Sequence, residues 1–186
     1  MRKLIVFNNV SLDGYFTDAN NDMSWAHKND AEWSAFTAEN AGGGGELVFG
    51  RVTYDMMAGW WPSQAAAAAF PVVAKRMNEL PKVVFSRTLK KAAWNNTRLL
   101  KGDLATEVKK LKEEAGPTMV LMGSGQIVSQ LSSVRLIDEY QVVVNGIALG
   151  AGRTMFAGVQ PPLSLKRTKE RTFSNGNVFL CYEPVG

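Results

Sequence analysis

Five apolar runs of strand length punctuate the chain: KLIVF (3–7), ELVF (46–49), KVVF (82–85), TMVLM (118–122) and DEYQVVV (138–144). Helical segments fall between them. Short runs that are apolar throughout, rather than alternating, suit strands covered on both faces, and the strand, helix, strand rhythm predicts an α/β sheet. The end of the chain differs, because LSLKRTKERTF and NVFLCYE, joined through SNG, read as an antiparallel hairpin.

Helix boundaries are marked by residue chemistry. NDAEWSAFTAEN (29–40) carries a capping-box pattern, Asn29 with Glu32 three on, and GGGG (42–45) stops it. DLATEVKKLKEEAGP (103–117) places Leu104, Val108, Leu111 and Ala115 on one face, with Asp103 as N-cap and Gly116-Pro117 as the stop. Pro71 and Pro81 bracket a further helix, preceded by an alanine run that reads either as helix or as loose loop.

A length of 186 residues with 46% hydrophobic content predicts one domain, 1–186, with a full-sized core. A single cysteine, Cys181, excludes an internal disulfide and reads as a small buried hydrophobe in the last strand. With His27 the only histidine, no zinc set of the usual spacing can be assembled, and no metal is expected. The apolar run LIVF is too short for a signal peptide and nothing approaches a membrane span, so a soluble, cytoplasmic protein is expected. The net charge of +4 gathers in RTLKK (87–91), KKLK (109–112) and KRTKER (166–171). These match no nucleic-acid motif and read as solvated faces, leaving an attraction for small anionic or phosphorylated ligands.

Three strand ends are built for such ligands. After ELVF the chain enters a helix through Gly50 and Arg51, and a helix starting directly behind a buried strand aims its unpaired N–H groups and positive dipole end out of the sheet's carboxyl edge. Gly50 permits the turn, while Thr53 either caps the helix or offers a hydroxyl to a phosphate. The construction recurs where TMVLM runs into Gly123, Ser124, Gly125 and Gln126. KVVF ends in Ser86-Arg87-Thr88, two hydroxyls flanking a guanidinium. Together they suggest a dinucleotide laid across the carboxyl edge. The Rossmann G-x-G-x-x-G, the P-loop and the G-x-S-x-G elbow are all missing from the sequence.

FGRVTYDMM, VVFSRTL, VLMGSGQIVSQL and DEYQVVVNGIALGAGRTMF together resemble the dihydrofolate reductase-like superfamily. The closer resemblance is to its branch containing the C-terminal reductase domain of the bifunctional riboflavin-biosynthesis deaminase-reductase, whose Ser-Leu-Asp-Gly segment is similar to VSLDGYFTD here. The resemblance implies a three-layer α/β/α fold around a mixed, mostly parallel sheet, bound NADPH and, from that branch, a homodimer. It implies that Gly50, Arg51 and Thr53 lie along the cofactor's phosphates, that Ser86 and Arg87 take the 2′-phosphate, and that Gly123, Ser124, Gly125 and Gln126 hold the pyrophosphate near the nicotinamide. Ser11, Asp13 and Gly14 would sit in a mobile loop beside the substrate. Two departures stand out. Dihydrofolate reductases carry paired glycines with a cis peptide where Ser124 follows Gly123 here, and the riboflavin branch has a proline where this chain runs Asn145, Gly146, Ile147, Ala148 before Leu149.

MSWAHKNDAEW resembles the dihydrofolate reductase stretch in which an acid follows a tryptophan by five positions and binds the pterin ring, which makes Asp30 the candidate catalytic acid. An Asp at a helix start is also favoured by the dipole alone. Trp33 and Phe36 read as core, His27 as a loop residue, and Trp60 and Trp61 either as cleft wall or as packing. The function expected is NADPH-dependent reduction of a small heterocycle, resembling 5-amino-6-(5-phosphoribosylamino)uracil reductase. The alternatives are a true dihydrofolate reductase and a nucleotide-binding module that holds NADPH without turnover. The deaminase signature H-x-E with P-C-x-x-C is absent, so the reductase module is expected to stand alone.

Overall fold

The apolar runs form one eight-stranded sheet, seen in a computed structural model that describes residues 1–26 and 30–186. The strands are β1 (Leu4–Ser11), β2 (Glu46–Gly50), β3 (Lys82–Phe85), β4 (Thr97–Leu100), β5 (Met119–Met122), β6 (Glu139–Asn145), β7 (Leu165–Thr172) and β8 (Val178–Pro184), in the spatial order β4-β3-β2-β5-β1-β6-β8-β7. The pairs from β4 through β6 are all parallel. Only β8 runs against its neighbours. The helices are α1 (Ala31–Gly42), α2 (Arg51–Trp60), α3 (Gln64–Ala69), α4 (Pro71–Glu79), α5 (Leu104–Glu113) and α6 (Gly125–Ser133). The alanine run is therefore helix, started by Ser63, whose side chain accepts from Ala66 N–H at 3.1 Å.

Strand alternation divides the core into two layers. Leu4, Val6 and Val10 of β1 and Leu121 of β5 face α5 and α6, where they meet Val108, Leu111, Val128 and Leu131. On the opposite face Phe7, Val143, Phe179 and Cys181 pack against Trp33 and Phe36 of α1, as a core reading of those two aromatics requires. Farther along that face Leu47, Phe49 and Val84 meet Tyr54 of α2, Met77 of α4 and Trp94. This is the expected mostly parallel sheet with helices on both sides and an antiparallel hairpin at the chain's end. The KRTKER run is exposed on edge strand β7, where charge protects an unpaired edge from other strands. Among the described residues no helix is long and apolar enough to cross a membrane.

Three local differences from the sequence reading have simple causes. β4 is a short run, TRLL, whose residues are at most half-buried, and it carries too little apolar pattern to stand out. β1 extends four residues past its apolar run, through Asn8 and Asn9. The cap of α1 is Asp30, whose carboxylate accepts from Trp33 N–H at 2.8 Å. Glu32 turns instead to the β7–β8 turn, accepting from Ser174 N–H at 3.2 Å and pairing with Arg171 at 3.3 Å. Asn29 and His27 lie outside the described residues.

Lys82 opens β3 and is 1% exposed, although it is charged. Its ammonium donates to Leu80 O at 2.7 Å and to Asn78 O and Asn95 O at 3.1 Å, 4.5 Å from the centre of the Trp94 ring. Three acceptors match three N–H donors. Burial pushes its pKa down to about 8, whereas an unfolded lysine holds its proton to about 10.4. Between those values the unfolded chain binds more protons, so this residue makes stability rise with pH. Urea melts at the two ends of that window should show the rise in wild type relative to Lys82→Met, and equal pH dependence in the two proteins would contradict it. Cys181, whose thiol burial pushes up to about 11, acts in the opposite sense in both proteins and drops out of the comparison.

Candidate cofactor and substrate site

β3, β2 and β5 are consecutive in the sheet, so the three strand ends singled out in the sequence stand side by side at its carboxyl edge. Gly50 is the N-cap of α2 and Ser124 the N-cap of α6, and neither helix start has a side-chain cap. Two neighbouring positive helix ends thus face the same edge with amides free to receive an anion.

The β2 and β5 ends are bolted together by hydroxyls. Ser124 Oγ accepts from Gly50 N–H at 2.8 Å and donates to Met122 O at 2.9 Å, and Ser124 N–H donates to Thr53 Oγ1 at 3.1 Å. Thr53 is therefore neither a cap of its own helix nor simply an open hydroxyl; it ties α2 to the β5–α6 turn. Gly123 and Ser124 both lie in the left-handed region, at φ +57° and +55°. The peptide between them is trans. Asn8 clamps that turn from β1, accepting from Gly123 N–H at 2.6 Å and donating to Gly123 O at 3.2 Å. Gly125 is packed so closely that a Cβ would come within 2.6 Å of the Phe16 ring, while Gln126 is exposed.

At the end of β3, Ser86 Oγ accepts from Leu89 N–H at 2.9 Å and Thr88 N–H at 3.2 Å, which fixes the turn that presents Arg87. Arg87 is exposed, and its charge helps hold the Asp103 carboxyl below its usual value, after the two hydrogen bonds from Thr106. Arg51 is paired with Asp55 at 3.1 Å, both side chains about half-exposed. Such a pair contributes little and yields readily to a phosphate.

The loop after β1 is tied to the segment after β6 by hydrogen bonds. Ser11 Oγ donates to Asp13 at 2.6 Å, and the Asp13 carboxylate accepts from Leu149 N–H at 3.0 Å and Gly150 N–H at 2.7 Å. Those bonds, Ser11's first, hold the Asp13 carboxyl down at about 2. Gly14, at φ +88°, lets the chain turn back so that its N–H reaches Ser11 O at 3.0 Å. Of the three residues expected beside the substrate, Asp13 thus clasps the segment after β6, which lacks the branch's proline, while Ser11 and Gly14 shape the turn that presents it. Asp30 lies on the α1 side, where Ser174 Oγ stands 3.4 Å from its carboxylate. Trp61 packs inside and its indole N–H donates to Met57 Sδ at 3.0 Å, whereas Trp60 is exposed. A hollow of about 690 Å³ lies elsewhere, lined by Arg2, Lys82, Trp94 and Glu114 at the amino edge of the sheet.

Asn8 and the Asp13 clasp escape a motif reading. For Asn8 one signal is present: two asparagines interrupt the otherwise apolar LIVFNNV, and an amide inside a buried strand needs a partner.

A mostly parallel sheet with this strand order and an antiparallel terminal hairpin is the dihydrofolate reductase-like fold. The chain belongs to the RibD C-terminal domain family, which it matches over residues 2–179, and is thus a riboflavin-biosynthesis reductase-like domain. It is 26% identical over 182 residues to the uncharacterized protein YyaP of Bacillus subtilis (strain 168), covering 97% of this chain and 94% of that one. Its fold is shared with a protein of Shewanella sp. PV-4 provisionally assigned to riboflavin biosynthesis (TM-score 0.75, 24% identity, 99% of each chain). It is also shared with the Thermotoga maritima diaminohydroxyphosphoribosylaminopyrimidine deaminase/5-amino-6-(5-phosphoribosylamino)uracil reductase (TM-score 0.68, 14% identity), covering 99% of this chain and 57% of that one. A pyrimidine reductase-like protein of Corynebacterium diphtheriae matches with a TM-score of 0.64 and 10% identity, over 100% and 92% of the two chains.

Proposed function

We propose that the protein is an NADPH-dependent reductase of a small heterocycle, an aminopyrimidine of the kind reduced in riboflavin biosynthesis. The observation that carries this is the pair of uncapped helix starts at adjacent strand ends, with an exposed guanidinium at the third. These residues fit a phosphorylated dinucleotide: the amides of Gly125 and Gln126 and the start of α2 suit the pyrophosphate, Arg51 a phosphate, and Ser86 with Arg87 the 2′-phosphate. NADPH, when bound, supplies the hydride. The chain's part is positioning: Asn8, Thr53 and Ser124 fix the turn beneath the cofactor, the Asp13 clasp fixes the substrate side, and the packed sheet excludes water from below.

Asp30 supplies a proton or orients the ring in this reading. Asn caps a helix about as well as Asp, so Asp30→Asn should leave the melting temperature almost unchanged. Turnover of the right substrate should fall by about a hundredfold or more, the usual scale for a lost acid or base. An unchanged rate and pH profile would leave Asp30 as a helix cap. The reading as a whole is tested by following NADPH oxidation with 5-amino-6-(5-phosphoribosylamino)uracil, simpler aminouracils and dihydrofolate. Oxidation with dihydrofolate alone would support a true dihydrofolate reductase, and binding of NADPH without oxidation by any of them a storage or regulatory module.

A further inference from the structure

The outer side of α2 is apolar and exposed, and the cofactor reading does not use it. Val52, Met56 and Trp60 stand four residues apart and form one stripe along the helix, opposite the side on which Tyr54, Met57 and Trp61 pack toward the sheet. Phe70, whose ring lies 6.4 Å from that of Trp61, and Val72 extend the stripe across the joint between α3 and α4. All five side chains are between 39% and 60% exposed, and they make up half of the large apolar residues that the described chain leaves in the open. Ala65, Ala67, Ala68 and Ala69 of α3 are exposed beside them. No charged residue occurs from Met56 to Ala74, in a chain that is 20% charged.

A helix that is apolar on both sides belongs in an interior, and a contiguous apolar patch with a polar rim marks a contact surface. Tryptophan, phenylalanine and methionine at its centre, with charge kept to the edge, match the composition of interface cores. The rim identifies the partner. It carries both signs in matched pairs: Arg51 with Asp55 at 3.1 Å beside the stripe, and Lys75 and Arg76 with Glu79 at 3.9 and 3.8 Å in the turns after Val72. An anionic lipid surface calls for basic residues alone around the patch, and a charged peptide for a rim of the opposite sign. A neutral centre ringed by both signs complements itself. The stripe is also symmetric about Met56. Two α2 helices crossing antiparallel about a two-fold axis therefore bring the Val52 end of one against the Trp60 end of the other, small against large. We propose that this face joins two copies of the chain, with Trp60 and Phe70 as the buried anchors and the charged pairs at the rim. The pairing is independent of the reductase reading.

Analytical ultracentrifugation of the full chain over a range of micromolar concentrations tests this. Wild type should sediment with twice the mass of the 20.4 kDa chain. Trp60→Glu and Phe70→Glu, made separately, should each weaken association by at least about thirtyfold, the scale of a central anchor residue. Both side chains are exposed in the single chain, so the far-ultraviolet circular dichroism of the variants should match wild type. Val134→Glu, at an equally exposed apolar residue after α6, serves as the control and should leave the dimer intact. A wild type that sediments as a single chain throughout overturns the proposal, and if that single chain floats with vesicles of phosphatidylglycerol and phosphatidylcholine the face belongs to a membrane instead. A dimer that survives both Trp60→Glu and Phe70→Glu, or that Val134→Glu breaks as readily, overturns it as well.

Discussion

Arg87→Ala should weaken NADPH binding by roughly ten- to a hundredfold while leaving NADH almost untouched. The 2′-phosphate is the charge that distinguishes the two cofactors, and a hydrogen bond to a charged group contributes about 1.5 to 3 kcal/mol. Arg87 is exposed at the end of β3, on a turn held by Ser86. The Asp103 carboxylate that feels its charge already serves as the N-cap of α5. The planar guanidinium is thus available to two oxygens of a phosphate at once. Raising salt should erode the wild-type preference, since an exposed phosphate contact is screened. Equal wild-type affinities for NADH and NADPH would remove Ser86 and Arg87 from the cofactor site and return RTLKK to the role of a solvated surface.

Gly123→Val should damage both the fold and the cofactor site. The sequence alone suggests a turn passing close to the ligand, where side-chain bulk blocks binding more than it destabilises the chain. The geometry changes that expectation. A Cβ on Gly123 points at Thr53, 2.8 Å from its Oγ1, and so presses on the first turn of α2 rather than on open space. A left-handed conformation costs an ordinary residue about 1–2 kcal/mol, a β-branched one more, and overpacking adds about 1–3 kcal/mol. Together these should lower the melting temperature by on the order of 10 °C. Thr53→Ala placed beside Gly123→Val makes room for the new side chain and should recover part of the stability. Cofactor binding should stay lost in both variants, because the turn that aims α6 at the edge is no longer formed as it was. A Gly123→Val protein that melts like wild type and binds NADPH normally would show that this turn does not hold the pyrophosphate.

Parallel strands in the middle of a sheet leave an unusually direct trace in sequence, because both faces are buried and the run is apolar throughout. That is why β2, β3, β5 and β6 are legible in the sequence and why β4, only partly buried at the edge, is not; the terminal hairpin is legible instead from its SNG turn. The adjacency of the three strand ends was not readable. Their chain order gives no spatial order, and β5 enters between β2 and β1 only because α5 crosses back over the sheet. Polar work inside the site was the least visible. Thr53 reads as a cap or a phosphate ligand, and the tie its hydroxyl makes between two elements has no sequence signal. Asp13 reads as part of a loop beside the substrate, and its bonds to Leu149 and Gly150 N–H, 136 and 137 residues on, have no local trace. Asn8 takes its meaning from a partner 115 residues away, and Lys82 from three carbonyls that only the folded chain gathers around it, which local pattern cannot express.

The central claim is that a dinucleotide lies across the carboxyl ends of β3, β2 and β5. Titrating NADPH into the isotopically labelled protein and following the backbone amide resonances tests it most directly. The account predicts saturable shifts at Gly50 to Thr53, at Ser86 to Thr88 and at Gly123 to Gln126, with Lys82, Trp94 and the amino-edge hollow unmoved. Shifts clustered at that hollow, or none at the three strand ends, would contradict it.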